Sequence, residues 1–357
     1  MNDPLEPEPI EDLRAAIKTD DAPAVESYFE SISSDESALA ISRLDDDDQS
    51  HLLTMLPTEQ AAQLLEELPE SEAASIVERL PAEDAAEIMD EVSSDEQADI
   101  LTRLPEANAS AILHEMSPDE ADDARRLMQY DGDTAGGLMI SEYLQFPSDW
   151  TVADVLTDLR ENSGRYRRYD VQYAYVVAAD RQLVGVLRLR DLLLADPGQS
   201  LESLMIQEPL RVNVHVPLEE LLPFFDRHHF LGVPVVDGDQ RLLGVLRQND
   251  VREAAVEFAD RTMLKLTGIM GGEELRTMPV RLRSYRRLSW LSVNIVLNII
   301  AASVIAMYQE TLEAVIALAV FLPIISDMSG CSGNQAVAVS MRELALGLIK
   351  PSEYARV

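Results

Sequence analysis

The residues best placed to do chemistry lie in the run FLPIISDMSGCSGNQAVAVSMRE, Phe321 to Glu343. The run is apolar overall, yet it carries a proline, a carboxylate, small polar residues, two glycines, an asparagine and a glutamine. If it lies at membrane depth, Asp327 is a functional candidate by default, because an ionisable group there is costly unless it is used. Its alternative role is as partner to a residue outside this sequence. Ser329, Gly330, Ser332 and Gly333 keep side chains small, so a backbone or a hydrated ion can come close. Asn334 and Gln335 add side-chain carbonyls, which with water suit a hard cation such as magnesium. Pro323 removes a backbone hydrogen bond and is predicted to kink the helix. Carbonyls freed in this way are tolerated in a membrane where they line a cavity or face protein. Cys331 reads as a packing residue, since one thiolate without His or Cys neighbours is no site for a soft metal.

Such residues need a membrane element to position them. Leu288 to Gln309 is a stretch of 22 residues without a charge, long enough to span a bilayer as a helix. Arg281, Arg283, Arg286 and Arg287 precede it, and Arg342 and Lys350 follow a second apolar stretch from about Thr311 to about Met341. Basic flanks mark the cytoplasmic side, so a helical hairpin with both ends inward is expected. Glu310 and Glu313 fall at its far turn. Asn294 and Asn298, one turn apart, suit a hydrogen bond between helices.

The rest of the chain has a different character. Of 357 residues, 64 are acidic and 29 basic, for a net charge of −35; residues 1–130 hold 35 of the acids and 7 of the bases, hence −28 of that charge. Such a segment repels nucleic acid and attracts cations, and a divalent ion bridging its carboxylates would relieve the self-repulsion. A solvated outer face is the plainer role of these acids. Within it Leu-Pro recurs at Leu56-Pro57, Leu68-Pro69, Leu80-Pro81 and Leu104-Pro105, with Val92-Ser93 and Met116-Ser117 completing a period of twelve. Apolar residues at helical spacing between these marks predict a superhelical stack of short helices, each opened by its proline. One cysteine excludes an intrachain disulfide, and the N-terminus lacks a basic start and an apolar core, so no cleaved signal peptide is expected. His51, His114, His215, His228 and His229 form no metal-spaced or catalytic set and there is no phosphate-binding glycine loop, so an enzyme is not expected.

Residues 174–195 (AYVVAADRQLVGVLRLRDLLLA) and 232–254 (GVPVVDGDQRLLGVLRQNDVREA) repeat one design of strand, turn, strand ending Gly-Val-Leu-Arg, and a helix opening at Asp. Gly185, Arg188 and Asp191 recur 59 residues on as Gly244, Arg247 and Asp250. The pattern resembles a tandem pair of CBS domains, a regulatory module that often binds adenine nucleotides or ions. Where that family commonly has Ser or Thr three residues before the Asp, this chain has Arg188 and Arg247. Arginine can hold phosphate, and Asp191 or Asp250 could take ribose hydroxyls; both aspartates could equally cap their helices. An amphipathic helix runs on from Asp250 to Gly268, followed by a glycine-rich joint.

Taken together, TAGGLM at Thr134–Met139, RDLLLADP at Arg190–Pro197, and Pro323 followed by a run ending GNQ at Gly333–Gln335 resemble the MgtE family of magnesium transporters and channels. The resemblance implies a homodimer in the plasma (inner) membrane, multi-pass, with its N-terminal domains cytoplasmic. It implies a helical acidic N domain at 1–130, a CBS pair at 131–252, a connecting plug helix and joint at 253–280, and a partial transmembrane domain with two of the family's five helices at 281–357. In such a protein cytoplasmic Mg2+ closes a pore lined by the second and fifth spans. The implied pore-lining residues are Pro323, Asp327, Ser329, Gly330, Gly333, Asn334 and Gln335, and the implied metal ligands are Asp327, Asp250, Glu253, Glu257 and Asp260. Arg188, Asp191, Arg247 and Asp250 are the implied nucleotide contacts. Three features depart from the family: the last three spans are missing, Asp327 and Cys331 stand where glycine and asparagine are usual, and Arg261 and Thr262 replace expected carboxylates. The alternative is a membrane-tethered CBS sensor of cations or nucleotides that does not conduct.

Overall fold

The computed structural model describes residues 7–167, 169, 172–266, 280–314 and 317–345. The predicted glycine-rich joint and Lys350 lie outside the described residues.

The chain opens with ten helices: α1 Pro7–Lys18, α2 Ala22–Glu30, α3 Ser34–Ile41, α4 Asp46–Met55, α5 Thr58–Glu66, α6 Glu70–Val77, α7 Ala82–Met89, α8 Ser94–Arg103, α9 Glu106–Glu115 and α10 Pro118–Leu127. From α5 onward they begin at 58, 70, 82, 94, 106 and 118, the period of twelve read from the sequence. Each proline of the Leu-Pro marks sits one residue before the helix, with φ near −55° and extended ψ. Ser93 and Ser117 take the same backbone where proline is missing. The ring therefore fixes the extended entry to the helix rather than its first turn.

Packing doubles the period. α5 lies on α7 and α7 on α9, while α6 lies on α8 and α8 on α10, so the structural unit is a helix pair of 24 residues. Neighbouring helices point to opposite layers, and each apolar face is covered by the helix two steps away. Two acids one such unit apart serve this stacking: Glu66 accepts from the Ser93 amide at 2.8 Å, and Asp90 from the Ser117 amide at 3.0 Å. The seam also fixes residue size. Ala61, Ala73, Ala85, Ala109 and Ala121 occupy one buried register position. Gln49 and Gln97 occupy it elsewhere, each donating its amide to the carbonyl eight residues back, Ile41 at 3.0 Å and Met89 at 2.7 Å.

The CBS pair follows as β1 Leu144–Pro147, α11 Val152–Glu161, α12 Ser163–Tyr166, β2 Tyr173–Val177, β3 Leu183–Arg188, α13 Leu189–Leu194, α14 Leu201–Leu204, β4 Ile206–Gln207, β5 Val212–Asn213, α15 Leu218–His228, β6 Gly232–Val236, β7 Leu242–Arg247 and α16 Gln248–Leu266. One sheet has the order β1-β2-β3-β4 and the other β5-β6-β7, with the first pair of each parallel and the rest antiparallel. The duplication persists in register: Tyr173 faces Arg188 and Gly232 faces Arg247. The hairpin residues Arg181 and Gln240, 59 apart, both take positive φ. The two hairpins also bond to each other, Leu183 N to Gln240 O at 3.0 Å and Leu242 N to Arg181 O at 3.1 Å. His228 ends α15, and His229 takes a left-handed φ of 55° as its cap.

One expectation needs correction here. Neither helix opens at its aspartate: α13 begins at Leu189 and α16 at Gln248, so Asp191 and Asp250 lie in the first turn, where the helix dipole favours them, rather than at the cap. Separately, Pro223 sits inside α15 without ending it.

The chain divides into two compact units, Met1–Leu221 with Phe225–Val251, and Leu222–Phe224 with Arg252–Val357. The second contains α17 Val280–Met307, α18 Gln309–Ala314 and α19 Ala317–Ala345. Large apolar side chains of α17 such as Leu291, Ile295 and Ile299 are exposed, as are Phe321 and Ile325 on α19. Pro323 does not interrupt the second apolar stretch: α19 is helical from before the proline to beyond Gln335. Proline deprives the helix of one donor only, and small residues fit a helix wherever nothing crowds them. The predicted transmembrane hairpin is not confirmed either, since among the described residues no helix is long and apolar enough to cross a membrane.

Candidate functional site

The helical array and the second CBS repeat meet at a buried polar cluster. Its centre is Arg247, the last residue of β7, whose Nε donates to Asp250 Oδ2 at 2.6 Å. Both side chains are largely shielded, 33% and 17% exposed. Burial works against the charge of Arg247, but the Asp250 hydrogen bond and the charges of Asp250, Asp95 and Glu142 outweigh it and hold the guanidinium above its ordinary pKa.

Glu142 comes from the segment joining the array to the sheet. Its two oxygens accept from the Ser94 amide at 3.0 Å and the Ser94 hydroxyl at 2.8 Å. Ser94 opens α8, so a carboxylate from outside the array meets a helix N-terminus whose amides have no partner of their own. Ser94 Oγ in turn accepts from the Ser141 amide at 2.8 Å. Nearby, Arg126 of α10 donates to the Leu243 carbonyl at 2.7 Å, and the Ile140 and Val245 backbones exchange two hydrogen bonds.

Burial pushes the Glu142 carboxyl above its ordinary value of 4.5, against the Ser94 hydroxyl, with Asp95 adding to the rise. Glu72, enclosed by Ser42, Gln49 and Arg79 within the array, is raised by burial in the same way. A carboxyl raised on folding gives its full contribution below the ordinary value and loses it as pH climbs through the folded value. Stability should therefore fall as pH rises from 4.5, a tenfold gain in proton affinity on folding being worth roughly 1.4 kcal/mol. Glu142→Gln should remove its share of that fall. Urea titrations of both proteins from about pH 4.5 to about pH 8 check this; parallel curves would refute it.

Two cavities flank the cluster. One, of about 220 Å3, is lined by Tyr143, Gln172, Tyr173, Tyr175, Asn249 and Asp250 among others. The other, of about 260 Å3, is walled by Glu59, Glu66, Asp90, Glu91, Glu120 and Glu142, with Arg165 and Arg247 as its cations. Despite that density of acid, among the described residues no group of three or more His, Cys, Asp or Glu side chains could hold a metal ion.

The residues singled out in the sequence are thus divided. Arg247 and Asp250 are brought together, whereas their counterparts are not: Arg188 is exposed and Asp191 pairs with adjacent Arg190 at 3.3 Å. Glu253 and Glu257 are exposed on α16, which also carries Asp260. Asp327, Ser329, Gly330, Gly333, Asn334 and Gln335 are exposed on α19. Sequence reasoning missed Ser94, Asp95 and Glu142. The only signal was a glutamate shortly after the TAGGLM segment.

Residues 32–133 match the model of the MgtE intracellular N domain, and residues 135–198 and 201–257 match the CBS domain. The solved structure of the cytosolic domain of the Mg2+ channel MgtE in complex with ATP is 30% identical, with a TM-score of 0.62, and the match covers 69% of this chain and 99% of that one. The chain belongs to the MgtE family. Magnesium transporter MgtE of Bacillus subtilis is 32% identical over 219 residues, 61% of this chain and 48% of the relative. MgtE of Thermus thermophilus is 32% identical over 238 residues, covering 66% and 52%. The chain spans about half the length of the curated MgtE relatives it matches. These relatives are named as magnesium transporters.

Proposed function

We propose that this chain is the cation-sensing and gating part of a magnesium channel or transporter subunit, acting as a homodimer in the plasma membrane. The observation that carries this reading is the acid-walled cavity between an MgtE N domain and a CBS pair, in a segment bearing −28 of the net charge of −35. The described residues form no ready cage for a metal, which suits an ion that keeps most of its own water and is felt through the field of many carboxylates. Magnesium is the cargo as well as the ion sensed. The charge-free stretch Leu288–Gln309 and the second apolar stretch, from about Thr311 to about Met341, are assigned to the bilayer on their sequence, with Arg281, Arg283, Arg286 and Arg287 on the cytoplasmic side. Asp327, Ser329, Gly330, Gly333, Asn334 and Gln335 are assigned to the ion path, and Glu253, Glu257 and Asp260 to cation contacts on α16. An adenine nucleotide is the second ligand assigned to the CBS pair, on the ATP held by the solved relative and the cavity beside Asp250.

Expression of the full-length gene product in a strain that depends on added magnesium is the deciding experiment. Growth at low magnesium with measurable uptake, reduced in Asp327→Ala, is the expected result. Normal expression in the membrane without uptake would replace the channel by the tethered sensor.

A further inference from the structure

Arg281, Arg283, Arg286 and Arg287 fall close together, and between Arg276 and Gln309 there are five arginines and no acid, in a chain of net charge −35. The four open α17, a single helix that runs on from them into the charge-free stretch beginning at Leu288. Successive residues of a helix are turned by about 100°, so Arg283, Arg286 and Arg287 share one face and Arg281 falls on the opposite one. Bases so placed surround the helix, whereas a single protein partner would need them on one side. Helix stability does not account for them either, since cations are disfavoured near a helix N-terminus. Tyr285, between them in the sequence, is 71% exposed, and tyrosine is a ring that favours the headgroup level of a membrane. The hydroxyls of Ser289 and Ser292 donate back to the Tyr285 and Leu288 carbonyls at 2.9 and 2.7 Å, so neither hydroxyl needs a donor site outside the helix.

We propose that this collar of arginines binds the phosphate groups of anionic phospholipids in the cytoplasmic leaflet, and so holds an acidic protein at a surface of its own sign. The inference rests on the assignment of Leu288–Gln309 to the bilayer. The four arginines span about 9 Å of helix axis, close to the depth of one headgroup layer, roughly 5–8 Å. A guanidinium fork fits the oxygens of a phosphate, and each basic residue beside an anionic leaflet favours it about fivefold. Residues 1–130, with −28 of the charge, are repelled by such a leaflet wherever they approach it. Headgroups held by the collar supply the attraction that the rest of the chain lacks.

The chain supplies its own probe. Trp150→Phe in the 357-residue chain leaves Trp290 as the one tryptophan, a turn of helix beyond Arg286 and Arg287. This parent is reconstituted in vesicles of phosphatidylcholine and phosphatidylglycerol with EDTA, and quenching of Trp290 is compared when one or the other lipid is brominated. Phosphatidylglycerol should be enriched at Trp290 about threefold or more over its bulk share, and about 0.5 M NaCl should bring it close to parity. Arg283→Gln, Arg286→Gln and Arg287→Gln combined should reach parity at low salt, while lysine at the same three positions should keep the enrichment. Replacing chloride by inorganic phosphate at equal ionic strength should change nothing. Equal quenching by the two lipids, in a parent that resists extraction by alkaline carbonate, overturns the proposal and leaves the bilayer assignment standing. Extraction of the parent by carbonate overturns both. Enrichment that survives the glutamine substitutions overturns the proposal, and where that variant fails to insert, enrichment of the parent unmoved by salt does so. Loss of enrichment in phosphate alone would give the arginines to the free anion and likewise overturn it.

Discussion

Replacing Phe146 by alanine should cost the first CBS repeat about 3–5 kcal/mol, the usual range for deleting a buried ring. Phe146 is 1% exposed in β1, among Leu144, Val152, Val155, Ala174, Val176 and Leu187. β1 pairs with β2 along its whole length, which limits how far its backbone can move to fill the space. Trp150 stacks on the ring with centroids 5.8 Å apart and so reports the change by fluorescence during urea unfolding. Gln145, next in the strand and facing out, provides the contrast: its alanine variant should stay within about 0.5 kcal/mol of the parent. A loss below about 1 kcal/mol for Phe146→Ala would mean that the repeat re-forms its core around the gap.

Gly137→Ala should have the next largest effect, about 3 kcal/mol, at the upper end for overpacking. A Cβ on Gly137 would lie 2.3 Å from the Asp131 carbonyl oxygen and 2.5 Å from Gly132 Cα. Both are backbone atoms, so no side-chain rotation relieves the clash. The segment is also held from the other side, with Ala135 N and Gly136 N donating to the carbonyls of Val216 and Val214 at 2.8 and 2.9 Å. The clash must therefore displace the crossing between the array and the CBS pair. Gly132→Ala, whose new carbon would meet nothing closer than Asp99 Oδ1 at 3.8 Å, should be nearly neutral. Thermal unfolding of the two variants decides the matter; equal midpoints would show that the crossing gives way at little cost.

The Thr134–Met139 segment shows how far a motif can be read without its structure. In the sequence it is only a mark of resemblance. In the fold Gly137 is required because the Asp131–Gly132 backbone lies too close for a Cβ, and a Cβ at Gly136 would meet the side chains of Tyr130 and Val214 at 2.7 Å. Helix placement in the array is better specified, since the Leu-Pro spacing marks each helix start directly. Which helices touch is not, because a period of twelve says where a helix begins and not which layer it joins.

The sequence by itself determined the repeat, the 59-residue duplication and the net negative charge of the N-terminal third. These are local or additive properties: a proline acts on its own backbone, and charges sum wherever they lie. Only the tertiary structure decided that Arg247 is enclosed while Arg188 is not, that Asp250 is paired with it, and that Glu142 meets Ser94 from 48 residues away. Identical motif positions diverged because burial and partners come from the helices packed over them. At Pro323 the sequence predicts a kink, and α19 shows that one missing donor does not end the helix.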